Sequence, residues 1–387
     1  PPFFHHGIIV EEPDVADLAV TTTNYALDHP LTIRGLKVRP VDVPIEDPVV
    51  TASGTVFTAP LVLLDLFTQE GIVGRSYIFT YSPAALLPTA RLVQNMADMI
   101  VGEALAPRDL ERCLQRYFRL LGTQGLMGMA MAGIDMAAWD ALAQARNIPL
   151  AEFLGGACKP VPSYYSAGMI DEPEAERLIE KSLGMGFRAF KVKVGHPTVG
   201  EDIRIIRFLR KLAGDEFELM VDFNQSLDAP GAESRMRELE SENLSWIEEP
   251  LIHHDFAGHA TIRQKVKTPI QIGENWWGLP DMKKSLLAGA SDLCMPDAVK
   301  IGGVTGWMKA AALADAYGMP MSSHLFVEIS THLMAVTPTA HWHEYLDLAK
   351  AVLQQPMEIR NGNAIPSNDP GTGVKWDEDA VAGYLVD

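Results

Sequence analysis

The sequence predicts an α/β protein, a (β/α)8-type barrel carrying an N-terminal α+β capping domain. Three observations predict it. Short apolar runs, each closing on an ionisable residue, place Lys191 and Lys193, Asp222, Glu248, Glu274, Asp297, His324 and Glu344 at intervals of 31, 26, 26, 23, 27 and 20 residues. That period fits one strand plus one helix, and amphipathic stretches such as 172–186 and 202–213 lie between the runs. The first 160 residues are patterned differently, and 387 residues suffice for a barrel of roughly 250 residues plus a second domain.

The elements follow in order. Residues 1–30, bounded by proline and weakly patterned, read as an extension with no chemistry of their own. From 31 to 45, apolar positions broadly alternate (Leu31, Ile33, Leu36, Val38, Val41, Val43, Ile45), as in a strand. A polar stretch, 46–58, leads into the apolar run 61–67, and a turn at Glu70-Gly71 joins that run to 72–80 as a hairpin. Helical patterns at about 84–101, 109–120 and 126–146 complete a cap of 31–160. Met127, Met129, Met131 and Met136 in the last helix read as a packing face rather than a cofactor site. Runs near 163–167, 189–194, 218–223, 245–249, 270–274, 293–297, 321–325 and 340–345 supply the eight strands of a barrel over 161–349. Right-handed crossovers put the helices outside and the C-terminal ends of all strands around one mouth. The tail, 350–387, holds Gly362, Pro366, Pro370, Gly371 and Gly373; it reads as irregular and returning to the cap.

Composition narrows the function. A net charge of −18 argues against nucleic-acid and anionic-membrane partners, since attraction to phosphate is absent. Cys113, Cys158 and Cys294 are widely spaced, which predicts reduced thiols and a cytoplasmic protein. No apolar run reaches the ~18 residues of a membrane span.

Gathered at one mouth, the ionisable residues read as an enzyme's site. Asp222, Glu248 and Glu274 are three hard oxygen donors from consecutive strands, a set that favours Mg²⁺ over softer metals. Single acidic residues there would read as helix caps or ion-pair partners; three at this spacing read as ligands. Lys191 and Lys193 share one strand face. Adjacent positive charges, with the metal's, are expected to lower their pKa toward a general base. Asp297 and His324 suit a dyad in which the carboxylate orients the imidazole. Glu344, if protonated, could donate to a substrate carboxylate as charge builds on it. His253, His254 and His259 read as a solvated loop. The glycine-rich 302–306 reads as a strand-to-helix turn, since it lacks the phosphate-loop lysine. No G-x-S-x-G or nucleophilic-cysteine signature is present.

Several segments resemble the enolase superfamily, and within it the mandelate racemase subgroup. They are Lys191-Val192-Lys193, Val221-Asp222-Phe223-Asn224-Gln225, Trp246-Ile247-Glu248-Glu249-Pro250, Gly273-Glu274-Asn275-Trp276, Met295-Pro296-Asp297-Ala298, Lys300-Ile301-Gly302-Gly303 and Ser322-Ser323-His324-Leu325-Phe326. The resemblance runs from about residue 31 to the C-terminus, including Gly133-Ile134-Asp135-Met136 in the cap. It implies two-base racemisation of an aryl 2-hydroxy acid such as mandelate through a metal-stabilised enediolate. Mg²⁺ would be held on Asp222, Glu248 and Glu274. Lys193 would take the α-proton of the S-enantiomer and His324, paired with Asp297, that of the R-enantiomer. Lys191 and Glu344 would stabilise the enediolate, while Ser166 and Asn224 would bind substrate oxygens. Val49, Ser53, Val56, Phe57 and Tyr81 are assigned to the substrate pocket, the first four on a flap over 49–57. The flap departs from the subgroup's pattern, in which valine is expected at Ser53 and glycine at Phe57. After Ser166, Ala167-Gly168-Met169-Ile170 replaces a more polar stretch, so the accepted side group is what these departures bear on. The resemblance also implies a small-molecule carboxylate substrate and a symmetric homo-oligomer such as an octamer.

Two other functions compete. An acid-sugar dehydratase would use the same bases to abstract an α-proton and expel a β-hydroxyl. A barrel retained only for binding would have no use for an intact ligand set and two bases. The apolar flap, with Val49, Val50, Val56 and Phe57, suits an aryl group better than a polyol, which ranks the racemase first.

Overall fold

The computed structural model describes residues 30–51 and 54–386. The expected extension, Pro30 apart, and Ser53 lie outside the described residues. Strands β1 (Ile33–Thr51), β2 (Gly54–Thr68) and β3 (Val73–Phe79) form an antiparallel sheet with β2 in the middle. β1 is longer than its alternation predicts. Pro40, Pro44 and Pro48 obscure the pattern, and proline is tolerated on an edge strand because no ladder donor is lost there. Register slips between Pro44 and Val49. Beyond that irregularity the hairpin continues, pairing Val49 with Val56 and Thr51 with Gly54. The stretch read as a polar connection is therefore mostly strand.

Helix α1 (Pro83–Ile100) starts at Ser82, whose hydroxyl accepts from the Ala84 amide, with proline in the first turn, where no amide donor is needed. Helix α2 (Pro107–Tyr117) ends before the expected residue 120. Helix α3 (Leu126–Ala145) is apolar on nearly every side because it is buried between the sheet and the barrel. It is long and apolar enough to cross a membrane, but two-thirds of its most apolar window is buried inside the protein, as in a core helix. Met127, Met129, Met131 and Met136 are all buried in it.

After the short α4 (Leu150–Phe153), seven strands run parallel: β4 (Val161–Ala167), β5 (Ala189–Lys193), β6 (Glu218–Asp222), β7 (Trp246–Glu248), β8 (Ile270–Ile272), β9 (Leu293–Cys294) and β10 (His343–Tyr345). Met321 fills the eighth position, bridging Cys294 on one side and Ala340 on the other, and β10 pairs with β4 to close the ring. Helices α5 (Glu172–Gly184), α6 (Val199–Ala213), α7 (Ala229–Leu239), α8 (Phe256–Arg263), α9 (Leu279–Ala288), α10 (Gly303–Tyr317) and α11 (Val327–Ala335) alternate with these strands. Tyr164, Ala189, Met220 and Trp246 pack together as a layer inside the barrel, below the ionisable residues.

The cap is seated on the barrel by polar contacts. Asp135 of α3 accepts from the Thr305 amide of α10 at 2.9 Å, and Trp139 Nε1 donates to the Thr305 hydroxyl at 2.8 Å. Gly303 makes this approach possible: a Cβ there would lie 2.4 Å from the Asp135 carboxylate. The glycine run 302–306, expected as a strand-to-helix turn, is instead mostly helix: Gly302 precedes α10 and 303–306 form its first turn. The tail returns to the cap sheet, where Trp376 Nε1 donates to Asp65 at 3.0 Å and the Val386 amide to the Pro40 carbonyl at 3.0 Å.

Candidate active site

Strand register assembles the site. Ser166 pairs with Lys191, Lys193 with Asp222, and Asp222 with Glu248 across β4 to β7. Glu344 pairs with Tyr164, and Asp297 with His324. In-register neighbours on parallel strands face the same side, so these pairings bring the side chains to one end of the barrel interior. One carboxylate oxygen from each of Asp222, Glu248 and Glu274 lies within 4.8 Å of the others, all three residues buried. This is the one cluster of possible metal ligands among the described residues.

The cations sit around that triad. Lys193 Nζ lies 2.6 Å from Asp222 Oδ2 at one end. His324 Nε2 lies 3.2 Å from Glu274 Oε2 at the other, and its Nδ1 is 2.8 Å from Asp297 Oδ2. Lys191 Nζ bridges Glu248 at 2.6 Å and Glu344 at 2.8 Å. Glu344 also accepts from the Leu325 amide at 3.1 Å, and its own amide donates to the Ser323 hydroxyl. Asn224 donates to Asp222 through both its backbone and its side chain, leaving Oδ1 buried without a donor. Ser166 is buried at the end of β4.

The charges of the lysines and of Glu344 follow from the carboxylates and cations against them. Burial does disfavour the Lys191 and Lys193 ammonium groups, but Glu248 and Glu344 hold Lys191 well above the usual lysine range, and Asp222 holds Lys193 above it. The expected lowering includes a divalent cation on the same carboxylates; where those carboxylates turn to the lysines, the direction is upward. Glu344 likewise stays a carboxylate. Burial pushes it up, but Lys191 and His324 pull it well below the ordinary range. It accepts hydrogen bonds here, and Lys191 is the donor of the pair.

The acidic excess fits a divalent cation. Burial raises the Glu248 carboxyl to about 7 in spite of Lys191, with Asp222 and Glu274 adding to the effect. Burial and Glu274 push the adjacent Glu249 well up. One oxygen of Glu274 is buried and accepts no hydrogen bond, its contact being the His324 Nε2 ion pair at 3.2 Å. Crowded, desolvated carboxylates, one with an oxygen that accepts no hydrogen bond, suit Mg²⁺, which takes oxygen ligands and keeps places for water and substrate.

Sequence reasoning missed a second rank of residues. Trp246 Nε1 and Gln271 Nε2 both donate to Glu248 Oε2, at 3.1 and 3.2 Å. Asn275 donates to Glu249 and Glu274 and accepts from Lys300 Nζ at 2.7 Å. Trp246 stands two residues before Glu248, a parity signal that points into the barrel, whereas Gln271, three residues before Glu274, has the opposite parity and is identified by its register with Glu248. Nothing in the local pattern marks Lys300. His259, read as part of a solvated loop, is instead buried on α8 with Nδ1 against the Asp255 carbonyl. Cys113, Cys158 and Cys294 are all free.

The flap behaves differently from the barrel mouth. Val49 is buried and Val56 half-buried, but Phe57 is 66% exposed, because alternation along β2 turns it away from Val56. Phe57 does not border the cavity at the base of the flap. Val50 is pinned where the Met169 amide donates to its carbonyl at 2.7 Å; a Cβ at Gly168 would lie 2.4 Å from the Val50 nitrogen. A cavity of about 220 Å³ lies here, bordered by Val49, Val50, Ser166, Met169 and Ile170, with Asp47 and Lys181 on its polar side. Tyr81 reaches Asp297, to whose Oδ2 its hydroxyl donates at 2.7 Å.

Comparison with known proteins identifies the family. Residues 33–155 match the mandelate racemase/muconate lactonizing enzyme N-terminal domain, and residues 174–380 match the enolase C-terminal domain-like family. The chain is 32% identical over 333 residues to an L-talarate/galactarate dehydratase of Salmonella typhimurium, covering 83% of this chain and 81% of that one. It is 31% identical over 339 residues to a 3,6-anhydro-alpha-L-galactonate cycloisomerase of Streptomyces coelicolor, covering 86% and 93%. Among solved structures, an enolase from Bradyrhizobium complexed with magnesium and mandelic acid superposes with a TM-score of 0.91 at 44% identity, covering 93% of this chain and all of that one.

Proposed function

For a chain that belongs to the mandelate racemase/muconate lactonizing enzyme family of the enolase superfamily, we propose Mg²⁺-dependent racemisation of an aryl 2-hydroxy acid such as mandelate. The observation that carries this reading is the position of two bases at opposite ends of one carboxylate triad. Lys193 lies against Asp222, His324 lies against Glu274, and Glu248 stands between. Bases so placed reach opposite faces of a carbon held over the triad, which is what inversion at that carbon needs.

Asp222, Glu248 and Glu274 would hold Mg²⁺, which when bound draws charge from the substrate's carboxylate and hydroxyl oxygens. Lys193 removes the α-proton from one face and His324 from the other. Asp297, bonded to Nδ1, aims the imidazole so that Nε2 faces the substrate. To act as a base Lys193 must shed the proton that Asp222 stabilises on it. Lys191 stays cationic between Glu248 and Glu344 and donates to the oxygen on which charge develops. Ser166 and the free oxygen of Asn224 orient the substrate. Val49 and Val56 give the flap an apolar inner side that fits an aryl group.

The relatives that act on acid sugars support a second reading, dehydration, in which one base takes the α-proton and His324 protonates a departing β-hydroxyl. Incubation with Mg²⁺ in D₂O separates the two. Racemisation of either mandelate enantiomer, with α-proton loss, is the expected result. Inertness toward both enantiomers with conversion of an acid sugar to a keto acid would replace the first reading by the second.

A further inference from the structure

We propose that Tyr81, a residue of the cap, is a positioning residue that fixes Asp297 and thereby governs proton transfer by His324 and not by Lys193; the inference rests on the two-base reading above. The Asp297 carboxylate has four acceptor sites, and four donors fill them. Oδ1 accepts from the amides of Val299 and Lys300 at 2.8 and 2.9 Å. Oδ2 faces His324 Nδ1 at 2.8 Å and accepts from the Tyr81 hydroxyl at 2.7 Å. Three of the four partners lie close to Asp297 in the barrel. Tyr81 alone comes from the cap, 216 residues earlier in the chain. A carboxylate filled in this way has no freedom to rotate, and the imidazole it holds inherits its orientation.

Tyr81 is itself constrained. Its φ is 60°, the left-handed region that an aromatic residue seldom occupies, imposed just before Ser82 caps α1. Its ring lies 4.6 Å from that of Phe79, and Lys300 Nζ sits 3.9 Å over it. Lys300 is anchored in turn on Asn275, which donates to Glu274 at 3.0 Å. The phenol has one proton, and that proton is committed to Asp297. Tyr81 therefore acts through the dyad rather than as a donor to substrate, which revises its expected place in the substrate pocket. Lys193 has no counterpart, being held by its ion pair with Asp222.

Single-base backgrounds isolate each half of the site. Lys193→Ala leaves His324 to exchange the α-proton of one mandelate enantiomer, and His324→Asn leaves Lys193 to exchange that of the other. Adding Tyr81→Phe should slow the His324 exchange on the order of tenfold, the loss of one hydrogen bond to a charged group, and leave the Lys193 exchange within about twofold. Equal slowing in both backgrounds, or no change in either, overturns the inference. A second readout needs no turnover: the Nδ1 proton resonance of His324 in substrate-free, magnesium-loaded enzyme. It should move downfield in Tyr81→Phe, because Asp297 Oδ2 then serves the imidazole alone. If the wild type exchanges neither enantiomer but this resonance moves, the racemase reading fails and the positioning role stands; a resonance that stays in place overturns the role.

Discussion

The barrel mouth and the flap both belong to the proposed substrate site, yet they are held by different forces. At the mouth, Lys191, Asp222, Glu248 and Asp297 are buried, fixed by strand register and bonded on most of their polar atoms. The flap is a two-stranded ribbon with Phe57 in solvent, and ion pairs tie down its base. Lys181 Nζ meets Asp47 at 2.6 Å and Glu46 at 3.0 Å, and Lys350 meets Glu46 at 2.8 Å. Pairs at that exposure contribute about 0.2–1 kcal/mol each, whereas breaking one buried pair at the mouth costs about 3–5 kcal/mol. On the proposed function, the difference leaves chemistry to the rigid mouth and substrate choice to a part that can change cheaply.

The largest expected effect lies at the mouth. EDTA should abolish turnover and Mg²⁺ should restore it, measured on either mandelate enantiomer; full turnover in metal-free enzyme would break the assignment of Asp222, Glu248 and Glu274. Next comes Glu344→Gln. It keeps the shape of the side chain but leaves Lys191 with Glu248 as its sole anionic anchor, so kcat should fall by on the order of 10²–10³ with little change in KM. An effect on KM alone would make Glu344 a binding residue.

Sequence made the mouth legible for a physical reason. Each reacting group ends an apolar strand, so a repeat of one strand plus one helix exposes Lys191, Lys193, Asp222, Glu248, Glu274, Asp297, His324 and Glu344 without knowledge of contacts. Charge was less legible. The expected lowering of the lysine pKa rests on cationic neighbours and a divalent cation, while the carboxylates that bond Lys191 and Lys193 act in the opposite direction. The flap was hardest to read, since prolines and a register slip hide the alternation of β1, and one residue of phase decides whether Phe57 faces the substrate or the solvent. The links through Tyr81 and Lys300 join residues far apart in the chain, which no local pattern reveals.

Flap variants should give the smaller effects. Lys181→Met removes two ion pairs at the ribbon's base and should raise KM about two- to fivefold at unchanged kcat. That difference should shrink at high salt, where such pairs are screened. A fall in kcat of the size seen for Glu344→Gln would erase the contrast between the two regions. Phe57→Ala, at an exposed position, should alter stability by no more than about 0.5 kcal/mol and leave the preference among aryl and alkyl 2-hydroxy acids as it was.

The central claim is that two bases at opposite ends of the triad each serve one enantiomer. ¹H NMR of α-proton exchange in D₂O, with magnesium-loaded Lys193→Ala and His324→Asn, tests it most directly. Lys193→Ala should exchange only R-mandelate, His324→Asn only S-mandelate, and neither should racemise. Racemisation by His324→Asn at the wild-type rate would contradict the account.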